Sequence, residues 1–146
     1  MSGKARGAIV DALVEKLKGI NGSSPYPIDV NNNVSNKLEF WDEVFDFPSV
    51  SVVAGNEFRE YLPGEFKWGR LGITIRCYVQ QEEPVTELEK LLVDIERVID
   101  DNNDLTYDSG KVTQEVRISS ISTDEGLLAP YGVGEITLEV LYEVIP

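Results

Sequence analysis

The chain has 146 residues, 42% of them hydrophobic, which suits one domain with a real core and excludes a disordered chain. Its 13 basic and 26 acidic residues give a formal charge of −13, which argues against a nucleic-acid-binding face built on clustered Lys and Arg. With no histidine and one cysteine, Cys77, an intrachain disulfide, a Ser-His-Asp site and a Cys/His zinc site are all excluded.

Residues 4–19 read as an amphipathic helix with Ile9, Val10, Leu13, Val14 and Leu17 as its buried stripe and Gly19 and Gly22 at its exit. Ser2 is a candidate N-cap. The start, Met1-Ser2-Gly3-Lys4, lacks the apolar core of an export signal, and no apolar run approaches the ~20 residues of a membrane span, so a soluble protein made in the cytoplasm is expected. Residues 21–37 form a polar connection with Pro25, Pro27 and Asn31-Asn32-Asn33. It reads equally as a surface loop or as a flexible arm that orders against a neighbouring subunit.

Residues 38–46 concentrate aromatics and acids around Phe40, Trp41 and Phe45, as a short strand or a turn of helix. A strand over 49–54 follows. Gly55-Asn56 reads as a turn, 57–62 as its return strand, and Pro63-Gly64 as a second turn. Connections this short demand antiparallel pairing. In the next strand Leu71, Ile73, Ile75, Cys77 and Val79 alternate with Gly72, Thr74, Arg76 and Tyr78, the period of a pleated strand with one buried face. Cys77 on that apolar face is expected to be a small core residue.

A second helix opens near Pro84 and Thr86, with Thr86 and Glu89 at capping-box spacing. Its stripe is Leu88, Leu91, Leu92, Ile95, Val98 and Ile99, and Asp94 is placed among the polar positions outside it. Residues 82–108 hold ten acids against Lys90 and Arg97. Asp100-Asp101-Asn102-Asn103-Asp104 lacks the glycine and terminal Glu of a calcium loop, so no metal is expected there. Residues 111–123 read as a strand with an irregularity near Thr113. A Gly-Pro turn over 124–134 leads to a last strand, 135–145, with Ile136, Leu138, Val140, Tyr142 and Val144 on one face.

Helices that flank runs of strands predict an α+β fold: a mostly antiparallel or mixed β-sheet with two α-helices packed on one face, plus a β-hairpin, in a single domain over 1–146. The sheet's other face, with Tyr78 and Leu141 among Thr74, Arg76, Thr137, Glu139 and Glu143, is only half polar and suits packing against another copy. There is no glycine-rich phosphate loop and no nucleophile elbow, so neither an enzyme nor a cofactor is expected.

The order and texture of these segments resemble the tail terminator (tail completion) proteins of long-tailed bacteriophages. The likeness rests on the approach Phe40-Trp41-Asp42-Glu43-Val44 to Phe47-Pro48-Ser49-Val50, on Tyr61-Leu62-Pro63-Gly64, and on Phe66-Lys67-Trp68-Gly69-Arg70. It extends through Tyr78-Val79-Gln80, the Leu- and Glu-rich helix, and Pro130-Tyr131-Gly132 before the last strand. The resemblance implies a virion protein of the tail and neck that forms a ring, usually hexameric. The ring caps the tail tube, stops its growth and presents a surface to the head-completion connector. In contractile tails it also anchors the sheath, and DNA slides through the lumen without specific binding. On that reading the 21–37 arm, a hairpin with its tip near Gly55-Asn56, and residues 63–70 make the contacts. Arg59, Trp68 and Arg70, with Trp41 and Tyr78, are the candidate anchors, since Arg and aromatics dominate interface energetics. Asp100, Asp101, Asp104 and Asp108 are the candidate lumen acids. The rival readings are another neck or tube-like component, or a small dimeric ligand-binding or regulatory domain.

Overall fold

The structure, a computed structural model, describes residues 2–22, 28–30, 33–37, 44, 46–108 and 110–144. The elements are α1 (Ser2–Leu17), β1 (Val34–Ser35), β2 (Ser49–Leu62), β3 (Phe66–Gln80), α2 (Pro84–Asp101), β4 (Thr106–Tyr107), β5 (Lys111–Val112), β6 (Glu115–Thr123) and β7 (Tyr131–Glu143). The main sheet runs β1-β2-β3-β7-β6, antiparallel throughout except for the short parallel β1–β2 pair. β4 and β5 form a separate two-stranded ribbon.

Period-two alternation places the core as expected. Leu71, Ile73, Ile75, Cys77 and Val79 are buried, as are Ile136, Leu138, Val140 and Tyr142 opposite them on β7. The helical stripes close over the same face, so Ile9, Leu13 and Leu17 of α1 share one core with Leu88, Leu91, Ile95 and Ile99 of α2. Burying each large aliphatic side chain contributes about 1.5–3 kcal/mol. The sheet's opposite face has no helix over it among the described elements.

Four details differ from the sequence reading. Gly55 and Asn56 are not a turn. They form a bulge, two residues set against Gly72 within one continuous 14-residue strand, so the hairpin tip moves to a 3₁₀ turn at Pro63–Glu65 where Gly64 takes φ 81°. The capping box at Thr86 is overridden because Pro84 occupies the first turn of α2, leaving Glu83 at the N-cap with no side-chain cap. Asp94 is buried on the packed side of α2 and accepts the Ile28 backbone N–H at 3.2 Å. The described parts of the 21–37 arm belong to the subunit's own body. Ile28, Val30 and Val34 are buried, Val30 donates its N–H to the Ile20 carbonyl, and β1 pairs with β2. The irregularity near Thr113 is the break between β5 and β6, where Thr113 Oγ1 accepts the Leu105 N–H and donates to the Asn103 carbonyl.

Candidate docking surface

The β2–β3 ladder continues well past the helical layer. Before the bulge, Val50 and Val52 face the core at 1% and 0% exposure. After it, Phe58 is 72%, Tyr61 68%, Phe66 55% and Leu62 38% exposed. The pairing register shows which of these share a face. Glu57 pairs with Leu71, Arg59 with Gly69 and Tyr61 with Lys67, which puts Glu57, Arg59 and Tyr61 on the helix side. Phe58 pairs with Arg70, Glu60 with Trp68 and Leu62 with Phe66, all on the open side, where Leu141 and Glu143 of β7 continue the row.

Of the predicted anchors, Trp68 and Arg70 thus come together on the open face beside Phe58. Arg59 lies on the opposite face, ion-paired to Glu57. Its guanidinium is held above its ordinary value, first by that hydrogen bond. Tyr78 is on the open face at the far end of β3 but is 2% exposed, so its surface is spent within the subunit. Trp41 lies outside the described residues. The four candidate lumen acids are all exposed, at the C-terminal end of α2 and around the β4–β5 ribbon. Asp108 is 3.7 Å from the Lys111 ammonium.

Charge on the open face is balanced by cross-strand pairs. Arg76 meets Glu135 at 2.8 Å, Arg70 and Arg117 converge on Glu139 at 3.2 and 2.9 Å, and Arg70 also approaches Glu60 at 3.8 Å. Each such partly exposed pair contributes at most about 1 kcal/mol. Their main effect is to leave a near-neutral sheet face on a strongly acidic molecule. Small residues, Gly72, Thr74 and Thr137, floor a shallow depression of about 260 Å³ there, rimmed by Phe58, Arg70 and Glu139.

Sequence reasoning missed the network at the base of the hairpin. The Tyr142 hydroxyl donates to Glu57 Oε1 at 2.6 Å, and Glu57 Oε2 accepts from Arg59 Nε. The Tyr142 ring lies under Gly69, where an added Cβ would stand 2.7 Å from Cε1, and meets Tyr107 edge-on at 6.2 Å between centroids. Burial, then the bond to Glu57, pushes the Tyr142 phenol well above its ordinary value. The alternation of Glu57, Arg59 and Tyr61 was the available signal, but reading Gly55-Asn56 as a turn hid it.

Among the described residues no cluster of His, Cys, Asp and Glu is placed to hold a metal ion, and no helix is long and apolar enough to cross a membrane. Cys77 is buried, and desolvation pushes its thiol up to about 12, so it is an inert core residue. An open sheet with a projecting apolar hairpin is the build of an assembly protein, one that works through surfaces.

Comparison with known proteins makes that class specific. The profile of the bacteriophage tail tube terminator proteins matches residues 3–145. The chain is 37% identical to the tail tube terminator protein p142 of Escherichia phage T5, over 94% of this chain and 93% of that one. A chain from the virion of a native gene transfer agent particle shares the fold, with a TM-score of 0.62 at 10% identity over 94% of this chain and 96% of that one. The protein belongs to the bacteriophage tail tube terminator family. It is a structural protein of the virion tail whose role is to terminate the tail tube.

Proposed function

We propose that the protein acts as a ring, hexameric by resemblance, which seats on the last ring of the tail tube, ends tube polymerisation and offers its other side to the head-completion connector. In a contractile tail the same ring would hold the sheath. The work is steric and interfacial, with no chemical step, and the ring assembles from chains made in the host cytoplasm.

The observation that carries this reading is the pair of sheet edges that the described residues leave largely unpaired. Among the described residues β1 covers β2 only at Val50 and Ser51, and β6 pairs only with β7. The two edge strands run in opposite directions, since β2, β3, β7 and β6 are successively antiparallel. Copies related by rotation about an axis along the strands therefore bring β6 of one beside β2 of the next with antiparallel polarity. Contact between two different patches on each copy closes into a ring when the rotation allows. The exposed hairpin then projects along the axis, where Phe58, Trp68 and Arg70 meet the tube. Asp100, Asp101, Asp104 and Asp108 repel phosphate and keep passing DNA from adhering.

Tail length in a phage lacking the protein tests the reading. Over-long or headless tubes support it, and normal tails with heads attached overturn it. Light scattering of the protein mixed with tail tubes reports the ring.

A further inference from the structure

Resting on the reading that the hairpin docks to the tube, we infer that Glu57 and Tyr142 are positioning residues that set the hairpin's angle for that docking. Past the bulge β2 is an edge strand joined to β7 only through β3, and beyond Trp68, where the β3–β7 ladder ends, Tyr61 and Leu62 with Phe66 and Lys67 form a two-stranded ribbon. Such a ribbon is marginal in water, and an edge strand bends at its bulge. Here the bulge is held from several directions. Arg6 of α1 donates to the Gly55 carbonyl. On the helix side, Tyr142 binds Glu57, which binds Arg59. On the open side, Arg70 ties β3 to Glu139 of β7 and approaches Glu60 of β2.

The Tyr142–Glu57 bond is distinct among these because its two side chains are almost entirely shielded from water. Tyr142 is 0% exposed, and the Glu57 side chain is 5% exposed although it sits on an outlying strand. A carboxylate on a projecting edge strand would ordinarily extend into water. This one is turned inward onto a hydroxyl of the central sheet, just past the bulge. The enclosure concentrates its effect on the bend between hairpin and body, while the apolar tip residues stay uncovered for a partner.

The test uses the full chain in three variants with hydrogen exchange and tail-length complementation as readouts. Tyr142→Phe keeps the ring and its packing and removes only the hydroxyl. Glu57→Gln keeps an acceptor for that hydroxyl. Phe58→Ser alters the exposed open face and leaves the Tyr142–Glu57 bond in place. Losing one enclosed hydrogen bond to a charged group should speed exchange of the amides over 57–62 by about tenfold, with β7 and α2 unchanged. The expected order of tail-length defects is Phe58→Ser and Tyr142→Phe strong, Glu57→Gln mild. If Phe58→Ser terminates tails normally, docking through this face fails. If Phe58→Ser is defective while Tyr142→Phe shows neither faster hairpin exchange nor altered tails, docking stands and the positioning role is overturned.

Discussion

The two halves of the β2–β3 ladder share one backbone and opposite fates. From Ser49 to Ala54 the strand lies under the helices, and its inward valines are all but sealed. From Glu57 to Leu62 the same strand keeps its pairing with β3 but exposes nearly every side chain, including two aromatics. Backbone pairing alone therefore does not decide burial. The helical layer does, and it stops at the bulge. Folding explains the first half, because buried apolar area repays chain entropy there. It does not explain the second, where a long edge strand with exposed Phe and Tyr is a hazard that isolated proteins avoid. The partner surface proposed above would account for it.

The sharpest way to break that contrast is to damage the sealed half. Ile75→Ala, at 0% exposure between β2 and β7, should lose about 2–5 kcal/mol of unfolding free energy in denaturant titrations, by transfer plus cavity cost. A loss below about 1 kcal/mol would mean the core is far looser than this packing.

A smaller effect is expected at the junction. Gly69→Ala places a methyl within 2.7 Å of the Tyr142 ring, which cannot withdraw without leaving Glu57. Overpacking of this kind costs about 1–3 kcal/mol, and should appear as a lower Tm together with faster exchange of the hairpin amides. An unchanged Tm would show that ring and hairpin are not coupled.

How much of this could be read from the sequence follows the same division. The sealed half and both helical stripes were legible because period two and period 3.6 leave a direct trace in residue order. The class of protein was legible as a resemblance spread across the chain. The junction was not, since Gly55-Asn56 satisfies turn chemistry and bulge chemistry alike, and only the pairing of both flanks with one strand separates them. Asp94 escaped for a related reason. Its position falls outside the apolar stripe of α2, and only the returning segment at Ile28, distant in sequence, makes that side of the helix an interior. The placement of the candidate anchors was not legible: composition picks out Arg59, Trp68 and Arg70, but strand parity past an unrecognised bulge decides which face each takes.

Asp94 gives a pH signature within the sealed region. Burial, more than the opposing Ile28 N–H and the Arg97 charge, raises its carboxyl above its ordinary value of 3.8. The unfolded chain then ionises first as pH rises, so the stability this group contributes is fully present below about 3.8 and is lost as pH climbs through the raised folded value. Asp94→Asn keeps an acceptor for Ile28 and removes the titration. The stability of the variant relative to the parent, measured by denaturant unfolding, should increase from pH 4 upward and then level off. A difference that stays constant across that range would place the carboxyl in water.

The smallest change in stability belongs to the exposed half, and it sharpens the contrast most. Tyr61→Ser at 68% exposure removes an aromatic whose ring the Lys67 ammonium approaches, 5.5 Å from its centroid. Such an exposed contact is worth about 0.5–1 kcal/mol, and relief of exposed apolar surface offsets part of it, so unfolding free energy should move by no more than about 0.5 kcal/mol. If the ring were instead packed in the free subunit, the loss would approach the 3–5 kcal/mol typical of truncating a buried aromatic. A near-silent substitution on one half of a strand, beside a crippling one on the other half, would show that one element carries two separate jobs: holding the subunit together, and offering a surface that the subunit does not need for itself.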